Sequence, residues 1–163
     1  MAWRGRVLLV AFTASIAVGL AAPAAADPLP GFDLDPDQLT ERMDSCLAYQ
    51  VGEQEILMGW RNLRDGAERH WRCSSLRHMM LDDHGTGEAH DPYVDIVAFM
   101  RCADKVVSYG FPRPGDPGKT VLHYQYNGTT KSALVVVNDA TGDIVTMYTT
   151  NPGNDWVGCA DGL

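Results

Sequence analysis

The stretch from Val121 to Thr150, VLHYQYNGTTKSALVVVNDATGDIVTMYTT, leaves the chain the fewest folding choices. Val, Ile, Tyr and Thr fill three runs, and these side chains suit a pleated, half-buried surface. Asn127-Gly128 closes the first turn, and the cluster from Asn138 to Asp143 closes the second. Asn and Gly both accept positive φ, so an Asn-Gly between alternating runs is a strong hairpin signal. The stretch therefore predicts a three-stranded antiparallel meander. Alternation puts His123, Gln125 and Asn127 on one face and Leu122, Tyr124 and Tyr126 on the other. In the last run Thr146, Tyr148 and Thr150 oppose Val145, Met147 and Thr149. One face can thus collect His123, Gln125, Thr146 and Tyr148, either as a site that binds a phosphate and moves a proton or as the wet side of a sheet.

At the other end, residues 1–26 carry Arg4 and Arg6, an apolar run and a closing Ala24-Ala25-Ala26. That is the pattern of a secretory signal peptide cleaved near Ala26. No later stretch is apolar enough to span a bilayer. The remaining 27–163 has the length of one domain. Two of the 13 basic residues and none of the 21 acidic ones lie in the signal, so the mature charge is 11 minus 21, or −10. Such acidity argues against general electrostatic binding to nucleic acid or anionic lipid. An exported chain with four cysteines, Cys46, Cys73, Cys102 and Cys159, is expected to hold two disulfides, with three pairings open. Cys159, near the C-terminus, is expected to tie the tail to the body.

Residues 27–37 (DPLPGFDLDPD) read as an extended leader. From Gln38, apolar residues recur at helical steps through Leu39, Met43, Cys46 and Leu47, and again through Ile56, Leu57, Trp60 and Leu63. Ala67 to Asp83 reads as a second helix. Asp91-Pro92 marks the start of another, carrying Val94, Ile96, Val97 and Met100. Lys105 to Tyr109 reads as a short strand, Gly110 to Gly118 as a loop and 151–163 as a tail. The expectation is an α+β domain over 38–163. Its 38–104 part is mainly helical, packed on a three- to four-stranded antiparallel sheet within 105–150 and stapled by disulfides.

A second cluster, His78-Met79-Met80-Leu81-Asp82-Asp83-His84 followed by Glu88, His90 and Asp91, offers three readings. His78 and His84 form an acid–base pair, the imidazoles and carboxylates hold a divalent metal, or the segment is a solvated loop. The spacing matches no zinc motif, so neither metal nor cofactor is expected. No nucleophile elbow, P-loop or dinucleotide fingerprint occurs.

With both clusters in view, residues 76–150 resemble the small ribonuclease-toxin superfamily that includes barnase, EndoU, colicin D and RelE-like domains. The likeness is carried by Arg77-His78, by Asp83-His84-Gly85, and by the strands VLHYQY, ALVVVND-ATGD and IVTMYT, with a Thr two residues before a Tyr. The resemblance implies metal-independent RNA cleavage through attack of the 2′-hydroxyl on the adjacent phosphate. His78 or His84 would match the helical histidine and Thr146 the hydroxyl of the last strand. His123 and Tyr148 join the catalytic candidates by shared face, and Gln125, Asn127 and Thr150 are the binding candidates. RNA and a protein partner are the two candidate partners. The competing class is a non-catalytic envelope binding module of the same fold.

Overall fold

The computed structural model describes residues 34–81, 90–126, 128–150 and 155–161. The expected signal peptide and most of the leader lie outside these residues, as do His84, Asn127, Asp82, Asp83 and Glu88. In chain order come α1 (Pro36–Leu47), β1 (Ile56–Arg61), β2 (Glu68–Arg72) and α2 (Cys73–Leu81). A 3-10 turn (Pro92–Val94) leads to α3 (Ile96–Tyr109), followed by β3 (Phe111–Pro114), β4 (Lys119–Gln125), β5 (Ser132–Asn138), β6 (Asp143–Thr149) and α4 (Trp156–Asp161). The class is α+β. Among the described residues the sheet has six strands in the order β1-β2-β6-β5-β4-β3, not three or four. It is mixed rather than antiparallel, because β2 runs parallel to β6.

The meander forms as expected, as β4, β5 and β6. The extra strands come from segments whose helical stepping is overridden. Ile56–Arg61 and Glu68–Arg72 are the two arms of a hairpin closed over Asp65-Gly66, with Gly66 at φ 69°. Asn62 organises that turn. Its Oδ1 accepts the N–H groups of Arg64 (2.8 Å) and Asp65 (3.1 Å), and its Nδ2 donates to the Val107 carbonyl. Phe111–Pro114 adds an edge strand to β4 within the expected loop, and its two prolines blunt that edge. Lys105 to Tyr109 is the end of α3, not a strand. The tail carries α4.

Capping sets the helix starts. Asp35 accepts the Asp37 N–H at 2.8 Å with Pro36 in the first helical position, so α1 begins inside the expected leader. The same Asp-Pro pair at 91–92 opens only the 3-10 turn; Asp95 then caps α3 through the Ala98 N–H at 2.8 Å. The helix ends are also served from outside. Arg77 of α2 donates from Nη2 to the Cys46 carbonyl (2.8 Å) and the Val51 carbonyl (3.0 Å), where α1 ends.

α3 lies on the inner face of the sheet, where Phe99, Val106 and Val107 meet Leu122, Val135, Val137, Ile144 and Met147, all essentially without exposure. Phe99 stacks between Trp71 (5.2 Å, tilted) and Trp156 (5.1 Å, edge-on). Burying a side chain of this kind contributes about 2–3 kcal/mol of transfer free energy. The cysteine pairing is settled as Cys46–Cys73, joining α1 to the start of α2, and Cys102–Cys159, which ties α4 to α3. Two disulfides fit an oxidising compartment. No helix among the described residues is long and apolar enough to cross a membrane.

Candidate functional site

The last strand is where the ladder is interrupted. β2 pairs with β6 only at His70–Asp143 and Trp71–Ile144, because the chain turns into α2 at Cys73. Among the described residues no strand lies beside the β6 edge beyond Ile144, and its buried carbonyls meet other donors. The Ser75 hydroxyl supplies one, donating to the Ile144 carbonyl. The imidazole of His90 supplies the next, with Nδ1 3.1 Å from the Met147 carbonyl oxygen.

A bulge aims the neighbouring side chains. Val136 pairs with Thr146 and Val137 with Ile144, so Val145 is the extra residue. Ile144 and Met147 therefore both point inward and are buried, whereas Val145, expected inward by simple alternation, is half-buried. Thr146 and Tyr148 face outward as expected. They meet His90, which packs its ring on that of Tyr148 (5.2 Å between centroids) with Nδ1 3.3 Å from the Thr146 hydroxyl.

The proton on this ring can be placed chemically. A carbonyl oxygen only accepts, so Nδ1 must carry the hydrogen that the Met147 oxygen receives. The Thr146 oxygen then shares that hydrogen as a second acceptor, which directs its own hydroxyl proton elsewhere. In the neutral ring Nε2 is left as the basic nitrogen. An imidazole whose tautomer is set by a backbone carbonyl is the arrangement a general base requires.

His123 stands on the same face but in another place. The register runs His123–Leu134–Tyr148 across β4, β5 and β6, so Leu134 separates His123 from Tyr148 by two strand spacings, about 10 Å. Partial burial, and then the Arg113 guanidinium, lower its pKa below the usual histidine value. His78 lies in the last turn of α2 and is half-buried. Gln125 donates from Nε2 to the Thr129 carbonyl at 2.8 Å and is part of the turn after β4. Thr150 is likewise engaged: its hydroxyl accepts from the Ser132 N–H (3.0 Å) and lies 3.2 Å from the Ser132 carbonyl, closing the β5–β6 ladder.

His90 is thus the residue the structure adds. In the sequence it stood only among possible metal ligands, and no group of three or more metal-ligating side chains forms among the described residues. Its one legible signal was its place directly before the Asp91-Pro92 turn. A second histidine, His70, sits at the seam between β2 and β6, with Nδ1 3.7 Å from Asp143 and Nε2 3.8 Å from Glu68. Arg72 holds Asp143 at 2.6 Å, so that carboxylate is already engaged.

Comparison of the chain with models of known families, with curated proteins and with solved structures finds no match. The functional reading therefore rests on the arrangement at the β6 edge.

Proposed function

We propose that this is an exported ribonuclease-type enzyme that cleaves RNA without a metal, using the β6 edge as its reaction centre. The observation that carries the reading is the contact of His90 with Thr146 and Tyr148, its tautomer set by the Met147 carbonyl. In the proposed reaction His90 Nε2 takes the proton of a ribose 2′-hydroxyl, whose oxygen attacks the neighbouring phosphorus. The 5′-oxygen leaves with a proton, and a 2′,3′-cyclic phosphate forms. The Thr146 hydroxyl donates to a non-bridging phosphate oxygen as charge accumulates there. The Tyr148 ring offers a face on which a base can stack. The resemblance of residues 76–150 to the ribonuclease-toxin superfamily matches His78 or His84 to the helical histidine, and we take that histidine as the candidate donor of this proton. Strong acidity disfavours broad electrostatic capture of RNA, so the reading implies a substrate held by local contacts.

The test is incubation of the purified, oxidised mature chain with RNA in chelator between about pH 5 and 8, where histidine titrates. Cleavage to a cyclic phosphate is expected, falling about 10²-fold or more in His90→Ala and about tenfold in Thr146→Val. His123→Ala should retain most of the activity, because Leu134 stands between it and the centre. Absence of cleavage across this range would overturn the reading and leave the non-catalytic binding module. Cleavage that depends on added metal would overturn the mechanism.

A further inference from the structure

His90 is held from two sides. On the sheet side its Nδ1 meets the Met147 carbonyl. On the other side Trp156 of α4 donates from Nε1 to the carbonyl of Asp91, the very next residue, at 2.8 Å. Trp156 is 2% exposed and meets Phe99 edge-on, so the indole bridges the core and the His90 segment.

α4 itself is six residues long, far too short to persist as an isolated helix. Its position comes from its attachments. Cys159 is bonded to Cys102 of α3, and Lys105 donates from Nζ to the Ala160 carbonyl. Asp155, just before the helix, receives Lys131 Nζ on its carboxylate at 3.2 Å, and its carbonyl lies 3.4 Å from the Tyr126 hydroxyl. Of these attachments only the disulfide is covalent.

We propose that Trp156 is a positioning residue for His90, and that oxidation of Cys102 and Cys159 completes the β6-edge site. The reduced chain would hold α4, and therefore the Asp91 carbonyl and the His90 ring, less firmly. Closing the bridge removes one hydrogen from each thiol, two electrons and two protons in all. A small disulfide such as oxidised glutathione takes them up and leaves as two thiols. A chain made under reducing conditions and exported would acquire its site only on reaching an oxidising compartment. The catalytic part of this inference rests on the function proposed above; the positional part does not.

The measurement is the tautomer and titration of His90 by imidazole ¹⁵N NMR, alongside RNA cleavage and its pH profile. The variants are Trp156→Phe, which keeps an aromatic ring against Phe99 without the N–H donor, and the double change Cys102→Ala/Cys159→Ala. Cys46→Ala/Cys73→Ala removes the bridge that does not reach α4. Oxidised wild type is expected to hold His90 with the proton on Nδ1. In Trp156→Phe and in the 102/159 variant that population should fall, and cleavage should drop about 10- to 100-fold. The 46/73 variant should leave the His90 signals in place. An unchanged His90 tautomer in Trp156→Phe overturns the proposal whatever the fate of RNA, and so does an equal change in the 46/73 variant. Wild type that fails to cleave RNA, with a His90 tautomer that still responds to Trp156→Phe, removes the ribonuclease reading and supports the positioning role.

Discussion

Two glycines in left-handed backbone allow the cost of crowding at the β2–β6 seam to be isolated. Gly66 (φ 69°) closes the β1–β2 hairpin, and a Cβ placed there would meet nothing within 4 Å. Gly142 (φ 75°) precedes β6, and a Cβ there would lie 2.7 Å from the Glu68 carbonyl oxygen. An alanine in this backbone region costs about 1–2 kcal/mol. Reduced freedom of the unfolded chain offsets about 0.4–1 kcal/mol of that. Gly66→Ala should therefore destabilise by about 1 kcal/mol. At Gly142 the same backbone term applies, and the contact must also open by at least about 0.3 Å to reach the shortest spacing real Cβ atoms show. The obstacle is backbone, and the same two segments share the bond from His70 N–H to the Gly142 carbonyl at 3.3 Å. Overpacking of this kind adds about 1–3 kcal/mol, so Gly142→Ala should cost about 2–4 kcal/mol in total. Urea unfolding of the oxidised chain, followed by tryptophan fluorescence, reads both values, and an unchanged m-value confirms that only stability moved. Equal losses at the two positions, within about 0.5 kcal/mol, would refute the crowding argument.

Asn62 is 3% exposed and serves three backbone groups, so Asn62→Ala should cost about 2–3 kcal/mol in the same assay, mostly by stranding the Val107 carbonyl. A loss below about 1 kcal/mol would show that the turn satisfies itself. For His123 the sign follows from its lowered pKa: the unfolded chain binds the proton more readily than the folded one. Its contribution to stability is complete above about pH 6.5 and is lost as pH falls through the folded value. Wild type should thus lose more stability than His123→Gln over that acid interval, and Arg113→Gln should move the His123 titration upward in NMR. A downward move would exclude the Arg113 contribution.

The meander was legible because local chemistry decides it: β-branched runs and Gly-containing turns need no distant partner to pair. The β1–β2 hairpin was not, because Ile56, Leu57 and Trp60 satisfy helical stepping and strand burial equally well over so short a run. The Asp65-Gly66 turn was the signal that could have decided it. Val106 and Val107 suggested a strand, yet both face the sheet from the last turns of α3, where burial outweighs β-propensity. The outward facing of Thr146 and Tyr148 was legible from alternation alone. Their neighbour His90 was not, since nothing local shows which carbonyl of a distant strand it will meet.

The seam between β2 and β6 carries a consequence for the order of assembly. β5 and β6 are joined by a tight turn, whereas His70 must find Asp143 across about 70 intervening positions. The length-dependent part of that closure is about 4 kcal/mol, against about 1.5 kcal/mol for the turn. The meander can therefore zip early, and the hairpin docks late, onto a ladder of only two residue pairs. Until it docks, the flank of β6 is an open template for a strand from any other chain. That flank is thus the edge most exposed to mispairing during folding, and Ser75 of α2 and His90, which meet its Ile144 and Met147 carbonyls in the folded chain, cover it.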